Sequence, residues 1–470
     1  MVFSSLIFLL FFFTALFVCY FCVPKRVRWL RNCVLLAFSL FFYRCGGADY
    51  LPLLLASILI NYVGGFLAAS DRPLLRKLGL WGAVVLGLGL LGWFKYAGFA
   101  ASNLKVLGLP VEVPKIVLPI GISFFTFQGL SYVIDVYRGD AKCQKNPLYV
   151  ALYVALFPQL VAGPIVRYTT VEEEITCREE YLHEFSQGVV RFLFGMGKKM
   201  LLANTMGEIA DGIFAQNPAF MAAPVAWVGA LAYTLQIYFD FSAYSDMAIG
   251  LGRMFGFHFL ENFNYPYISR SVTEFWRRWH ISLSTWFRDY VYIPLGGSRC
   301  SKGRNILNLT AVWLLTGLWH GAAWNFVLWG GWFLVLLLGE KFLWGRGLSR
   351  VPSIVGWLYA MLAAVLGWVL FRSSSLSYAL SYFSAMLGRG GSGGGQAVYY
   401  LLEYWPEWIT ALIAMLPVKV WLQEKLESRQ SQLSALVLDW CPKLIALGLL
   451  GLSYLKLVTG SFNPFIYFQF

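Results

Sequence analysis

The stretch VFSSLIFLLFFFTALFVCYFCV, residues 2–23, carries no charge and is followed at once by Lys25, Arg26, Arg28 and Arg31. About 20 consecutive apolar residues let an α-helix cross the hydrocarbon core of a bilayer. Basic residues collect in short loops on the cytoplasmic face. The stretch therefore reads as a first span that starts outside and ends in the cytoplasm. No basic residue precedes it and it has no small-residue cleavage site, which argues against a signal peptide. Composition extends the reading to the whole chain: of 470 residues, 59% are apolar, 18% aromatic and 13% charged. Soluble proteins carry about 25% charged residues, and a soluble fold of this length cannot hide so much apolar side chain. Transmembrane β-barrels show short alternating segments, and none is found. The expected fold is an all-α polytopic membrane protein.

Further spans are expected near 33–43, 50–68, 79–100 and 115–134, with Arg72, Arg76 and Lys77, then Arg138, Lys142 and Lys145, in inner loops. The net charge of +13 fits this inner-loop bias, so nucleic acid is not an expected partner. Residues 147–166 are apolar but interrupted by Pro158, Gly163 and Pro164, which reads as a re-entrant or broken helix whose backbone the protein must satisfy itself. The six glutamates between 171 and 184 are expected at a wet surface. Spans are expected again near 186–215, 222–252, 306–319, 323–342, 352–371, 400–420 and 443–460. Residues 262–305 are too rich in Arg, Trp and Tyr to span simply, and Gly388–Gly395 reads as a flexible loop. The CxxC of Cys19 and Cys22 lies inside the first span and reads as packing rather than metal or redox chemistry.

Ionisable groups at membrane depth are costly and mark pathways or reaction sites. There are four histidines. His183 sits in the acidic stretch and His258 near a helix end, both without a chemical role. His320 lies in Leu315-Thr316-Gly317-Leu318-Trp319-His320-Gly321-Ala322-Ala323-Trp324-Asn325, between two spans, with Gly317 and Gly321 leaving room for another backbone or a ligand. His280 lies in Glu274–Asp289; read as one helix, Arg277, His280, Ser284 and Arg288 share a polar face, and Trp276, Trp279, Leu283 and Trp286 an apolar one. In Gln236–Asp246, Gln236, Asp240 and Tyr244 share one face and Ser242 and Asp246 another; the acids need partners, and the arginines near 277–288 are the expected ones. No HExxH or paired-cysteine zinc site is present and no metal is expected. Nucleophile elbow, P-loop and Rossmann fingerprint are absent too. Acid–base chemistry with a neutral imidazole as base is what remains.

Seven motifs in order resemble the membrane-bound O-acyltransferase family, and in particular its bacterial branch that includes the membrane subunit of alginate O-acetylation. They are Leu118–Gln128, Asp135–Gly139, Phe157–Ile165, Gln236–Asp246, Phe275–Arg288 with Tyr290 and Ile293–Gly297, Trp319-His320-Gly321, and Asn463–Phe468. The resemblance implies one integral membrane domain over 1–470, with most motifs within 115–340. It implies a ring of many helices around a thinned centre crossed by a tunnel. It implies His320 as the principal catalytic histidine and His280 as the second. The acyl donor would be cytoplasmic, with acetyl-coenzyme A as donor substrate and no tightly bound cofactor. The acceptor would be a polysaccharide hydroxyl outside the cytoplasmic membrane, reached through an extracytoplasmic acetyltransferase partner. Arg277, Arg278 and Arg288 are candidates for the donor's phosphates, and Trp319, Asn325 and Asp240 for further substrate contacts. Two alternatives stay open: D-alanyl transfer from a carrier protein to teichoic acid, and a non-enzymatic conduit for polysaccharide or lipid.

Overall fold

The computed structural model describes residues 2–460 and 463, and among them there is no β-strand. The C-terminal motif at 463–468 therefore falls outside the described residues except for Asn463. Among the described residues, five helices are long and apolar enough to cross a membrane, namely Leu51–Ala68, Pro73–Val106, Trp324–Leu348, Ser353–Arg372 and Gln432–Thr459. The chain divides into two compact units, residues 1–192 with 245–260, and residues 193–244 with 261–470. The helices Leu182–Gly197 and Ala223–Met254 contribute to both.

In the first unit the N-terminal stretch forms a helix that begins as a wide turn at Ile7 and ends at Cys22. Cys19 and Cys22 are both exposed, so they do not pack inside the protein. The expected span at 115–134 is displaced: its helix runs from Ile122 to Arg138. Residues 109–119 are not helical because Pro110, Pro114 and Pro119 interrupt them. Residues 147–166 break as expected. The helix Pro147–Ala155 stops at Leu156, and one turn, Phe157–Leu160, follows. Side chains satisfy the freed backbone: Phe157 N–H donates to Ser39 Oγ at 3.1 Å and Tyr153 O–H donates to the Val166 carbonyl at 2.9 Å. Five of the six glutamates reach the surface at least in part, but Glu180 is buried. It pairs with Arg28 and Arg31 and accepts from Tyr20 O–H at 2.5 Å. His258 is exposed beside Glu174 and His183 is exposed beside Gln187.

In the second unit, the expected span at 400–420 is three short helices, Gly395–Glu403, Trp405–Ala414 and Val418–Glu427. Pro406 stands in the first turn of the second and Pro417 directly precedes the third, where a proline starts a helix rather than continuing one. Gly388–Gly395 is not a free loop. Gly391 N–H donates to the Met221 carbonyl at 3.1 Å, and a Cβ at Gly390 or Gly391 would strike the carbonyls of Met221 or Phe220.

Candidate active site

Both deep histidines lie in the second unit. The helix Lys302–His320 starts at Ser301, whose hydroxyl accepts from Arg304 N–H, and ends at His320. A three-residue turn, Gly321–Ala323, reverses the chain into the helix Trp324–Gly339. The two helices meet backbone to backbone. A Cβ on Gly317 would collide with the Phe326 carbonyl, and one on Gly330 with the Trp313 carbonyl. Gly317 thus admits a neighbouring backbone, as the sequence suggested, and Gly321 admits the Phe326 ring. His320 is held at the helix end among three aromatic rings, with centroids 5.1 Å from Trp319, 4.9 Å from Trp329 and 5.3 Å from Phe371. Only 7% of it is exposed.

The segment with His280 departs from the single-helix reading. Two short helices, Val272–Arg278 and Ile281–Phe287, are separated by extended Trp279 and by His280 at φ 44°, ψ 53°. That is the left-handed region, which costs an L-residue about 1–2 kcal/mol. Local bonds hold it there: Asn262 accepts from Ile281 N–H through its carbonyl at 3.0 Å and from Ser282 N–H through Oδ1 at 3.2 Å. The break abolishes the common face of Arg277, His280, Ser284 and Arg288. It turns the imidazole inward, 1% exposed, against Phe241 at 4.6 Å and Trp319 at 5.8 Å between ring centroids. The Trp319 indole therefore lies against both histidine rings. His280 lies outside the long apolar helices, and burial, with His320 next in effect, keeps it well below the usual imidazole range and so neutral.

Other predicted residues fall in different places. Asn325 donates to the Ser373 carbonyl at 3.1 Å and ties the histidine hairpin to the end of the helix Ser353–Arg372. Asp240 pairs with Lys199 at 2.6 Å, both nearly fully buried, and Asp246 pairs with Arg191 at 2.8 Å. The arginines near 277–288 are not their partners. Arg278 binds Glu274 at 3.0 Å and the Asn264 carbonyl at 3.2 Å. Arg277 is exposed, and exposed Arg288 pairs with its neighbour Asp289.

Two positioning residues escaped the sequence reading. One is Asn262. The other is Glu340, where the helix Trp324–Gly339 widens into the turn Glu340–Trp344 and runs on to Leu348. Its oxygens accept from Val272 N–H at 2.6 Å and from Thr273 N–H at 2.9 Å, so it caps the helix that leads to His280. An acid inside a long apolar helix was the available signal. Glu340→Ala strips the cap from two backbone donors, a loss of about 0.5–2 kcal/mol. Thermal melts of the detergent-solubilised protein are expected to show a lower Tm; an unchanged Tm removes the capping role.

The family model of the membrane-bound O-acyltransferases, MBOAT, matches residues 145–384, which hold both histidines. The chain belongs to this family. It is 45% identical over 397 residues, 83% of this chain and 79% of the relative, to a "Probable alginate O-acetylase AlgI" of Azotobacter vinelandii. It is 32% identical over 486 residues, 92% of this chain and 90% of the relative, to a "Peptidoglycan O-acetyltransferase" of Helicobacter pylori. It is 32% identical over 253 residues, 50% of this chain and 62% of the relative, to a "Teichoic acid D-alanyltransferase" of Bacillus subtilis. This MBOAT protein is a multi-pass membrane acyltransferase.

Proposed function

We propose that the protein transfers an acetyl group from a cytoplasmic donor, acetyl-coenzyme A, toward hydroxyls of an extracytoplasmic polysaccharide. In this reading it sits in the cytoplasmic membrane with its N-terminus outside and hands the group to an extracytoplasmic acetyltransferase. The observation that carries the proposal is the pair of buried imidazoles, His280 and His320, on one indole. The similarity to proteins named as an alginate O-acetylase and a peptidoglycan O-acetyltransferase supports the acetyl group and a sugar acceptor.

Neutral imidazole is the side chain suited to accept a hydroxyl proton near neutral pH. In the proposed step His320 takes the proton of the acceptor hydroxyl as its oxygen attacks the thioester carbonyl. The carbon–sulfur bond breaks, and the thiolate leaves and is protonated. In a covalent variant the acetyl group rests first on a His320 nitrogen. His280 orients the reacting groups. The aromatic rings around His320 keep bulk water from the activated ester.

Membranes containing the protein are incubated with acetyl-coenzyme A labelled in the acetyl group. Label in a polysaccharide or a partner, with release of free thiol, is the expected result. Transfer from a D-alanylated carrier alone overturns the acetyl reading in favour of the D-alanyl one. Absence of transfer from either donor leaves the conduit.

A further inference from the structure

The tautomer of His280 is legible from its neighbours. Asn262 Oδ1 accepts from Ser282 N–H at 3.2 Å, and a backbone N–H can only donate, so the Asn262 atom at this point is the carbonyl oxygen. The same oxygen lies 2.9 Å from Ser282 Oγ and 3.2 Å from His280 Nδ1. An amide oxygen has no proton to give. A bare Nδ1 would set two lone pairs against each other, whereas a protonated Nδ1 makes a hydrogen bond. Ser282 Oγ is also 3.5 Å from His280 Nδ1. Its shorter contact to Asn262 takes the hydroxyl proton, so it does not supply one to the ring. The other ring nitrogen, Nε2, is buried without a hydrogen-bond partner among the described residues. A buried nitrogen of this kind calls for a partner, which a bound group can supply.

We propose that Asn262 is a positioning residue that locks His280 in the Nδ1–H form, so that Nε2 offers a lone pair that holds an O–H or N–H donor of the bound substrate. A lone pair cannot stabilise a developing oxyanion, so this tautomer assigns His280 the orienting role of the two that an imidazole beside the base can play. The left-handed backbone at His280 belongs to the same arrangement. Asn262 holds both the turn and the ring, and the strain of about 1–2 kcal/mol is retained where it aims a functional group. The kinetic part of this proposal rests on the acyl-transfer reading, but the tautomer does not.

The test uses the intact protein in detergent, labelled with nitrogen-15 in its histidine rings. With four histidines in the chain, His280 is assigned by the signals that vanish in His280→Phe. The expected wild-type spectrum shows His280 Nδ1 as the protonated, pyrrole-like nitrogen and Nε2 as the bare, pyridine-like one. Asn262→Leu is expected to shift His280 to a mixture or to the Nε2–H form. It is also expected to lower kcat/KM of acyl transfer about 10–100-fold, the scale seen when the outer partner fixing a histidine is removed. Asn262→Asp keeps an acceptor at the same atom and is expected to keep the Nδ1–H form and most of the turnover. A merely structural role for Asn262 does not separate the two variants by tautomer. An Nε2–H signal for His280 in the wild type overturns the proposal, as does an unchanged tautomer in a folded Asn262→Leu protein. If Asn262→Leu does not fold, Asn262→Asp decides through its tautomer. If the protein transfers no acyl group, the nitrogen signals still decide the tautomer, and the failure belongs to the functional reading.

Discussion

Replacing His320 by alanine is expected to lower acyl transfer by about 10²–10⁴-fold, the contribution of a positioned base, while leaving the protein folded in the membrane. The position favours a clean experiment. His320 is the last residue of its helix, so alanine there leaves the helix backbone intact. Gly317 and Gly330, which hold the hairpin together, are untouched. The rings of Trp319, Trp329 and Phe371 remain to line the space. Transfer of labelled acetyl groups is measured in membranes with matched amounts of inserted protein. His320→Gln, which keeps a polar side chain but no base, is expected to fail as alanine does. Undiminished transfer in either variant removes His320 from the chemistry.

The second large effect is on stability and lies at Lys199. Its ammonium meets Asp240 at 2.6 Å, with both side chains at 5% exposure or less. Attraction in such a pair is offset by the cost of taking two charges out of water, but removing one member leaves the other charge buried beside an apolar group. Lys199→Met is expected to destabilise the protein by about 3–5 kcal/mol. The double variant with Asp240→Leu is expected to recover most of that loss, because the stranded charge goes too. Urea or thermal unfolding of the four proteins of this cycle gives the coupling directly. A Lys199→Met protein as stable as the wild type contradicts the pairing. Phe241, next to Asp240, packs on His280, so loss of the pair is also expected to lower transfer.

Much of the membrane architecture was legible because hydrocarbon imposes a simple rule: a spanning helix must be long and apolar. Leu51–Ala68 and Ser353–Arg372 match their expected ranges within a residue or so. The break within 147–166 was legible for the complementary reason, since proline cannot continue a helix unaided and glycine weakens one. The same rule, given too little weight beside hydropathy, explains the displaced helix Ile122–Arg138 and the division of 400–420 at Pro406 and Pro417. His320 stood out as a titratable group between apolar flanks. The geometry at His280 did not, because its neighbours follow helical spacing almost perfectly. The turn there is imposed by Asn262, 18 residues earlier, through bonds no local pattern encodes. The partners of Asp240 and Asp246 were missed for a similar reason. The nearest cationic cluster in the sequence was the obvious choice, while the folded chain supplies Lys199 and Arg191 instead. Glu180 looked like one more surface acid until Arg28 and Arg31 from the first inner loop met it.

In the proposed reaction the acyl donor reaches His320. The most direct measurement is a structure of the protein with a non-hydrolysable acetyl-coenzyme A analogue in which the thioester sulfur is replaced. The analogue's acetyl carbon is expected within van der Waals contact of the His320 ring, beside Trp319 and Trp329. An analogue bound with its acetyl end elsewhere, and His320 still enclosed by its aromatic neighbours with no opening to the ligand, contradicts the account.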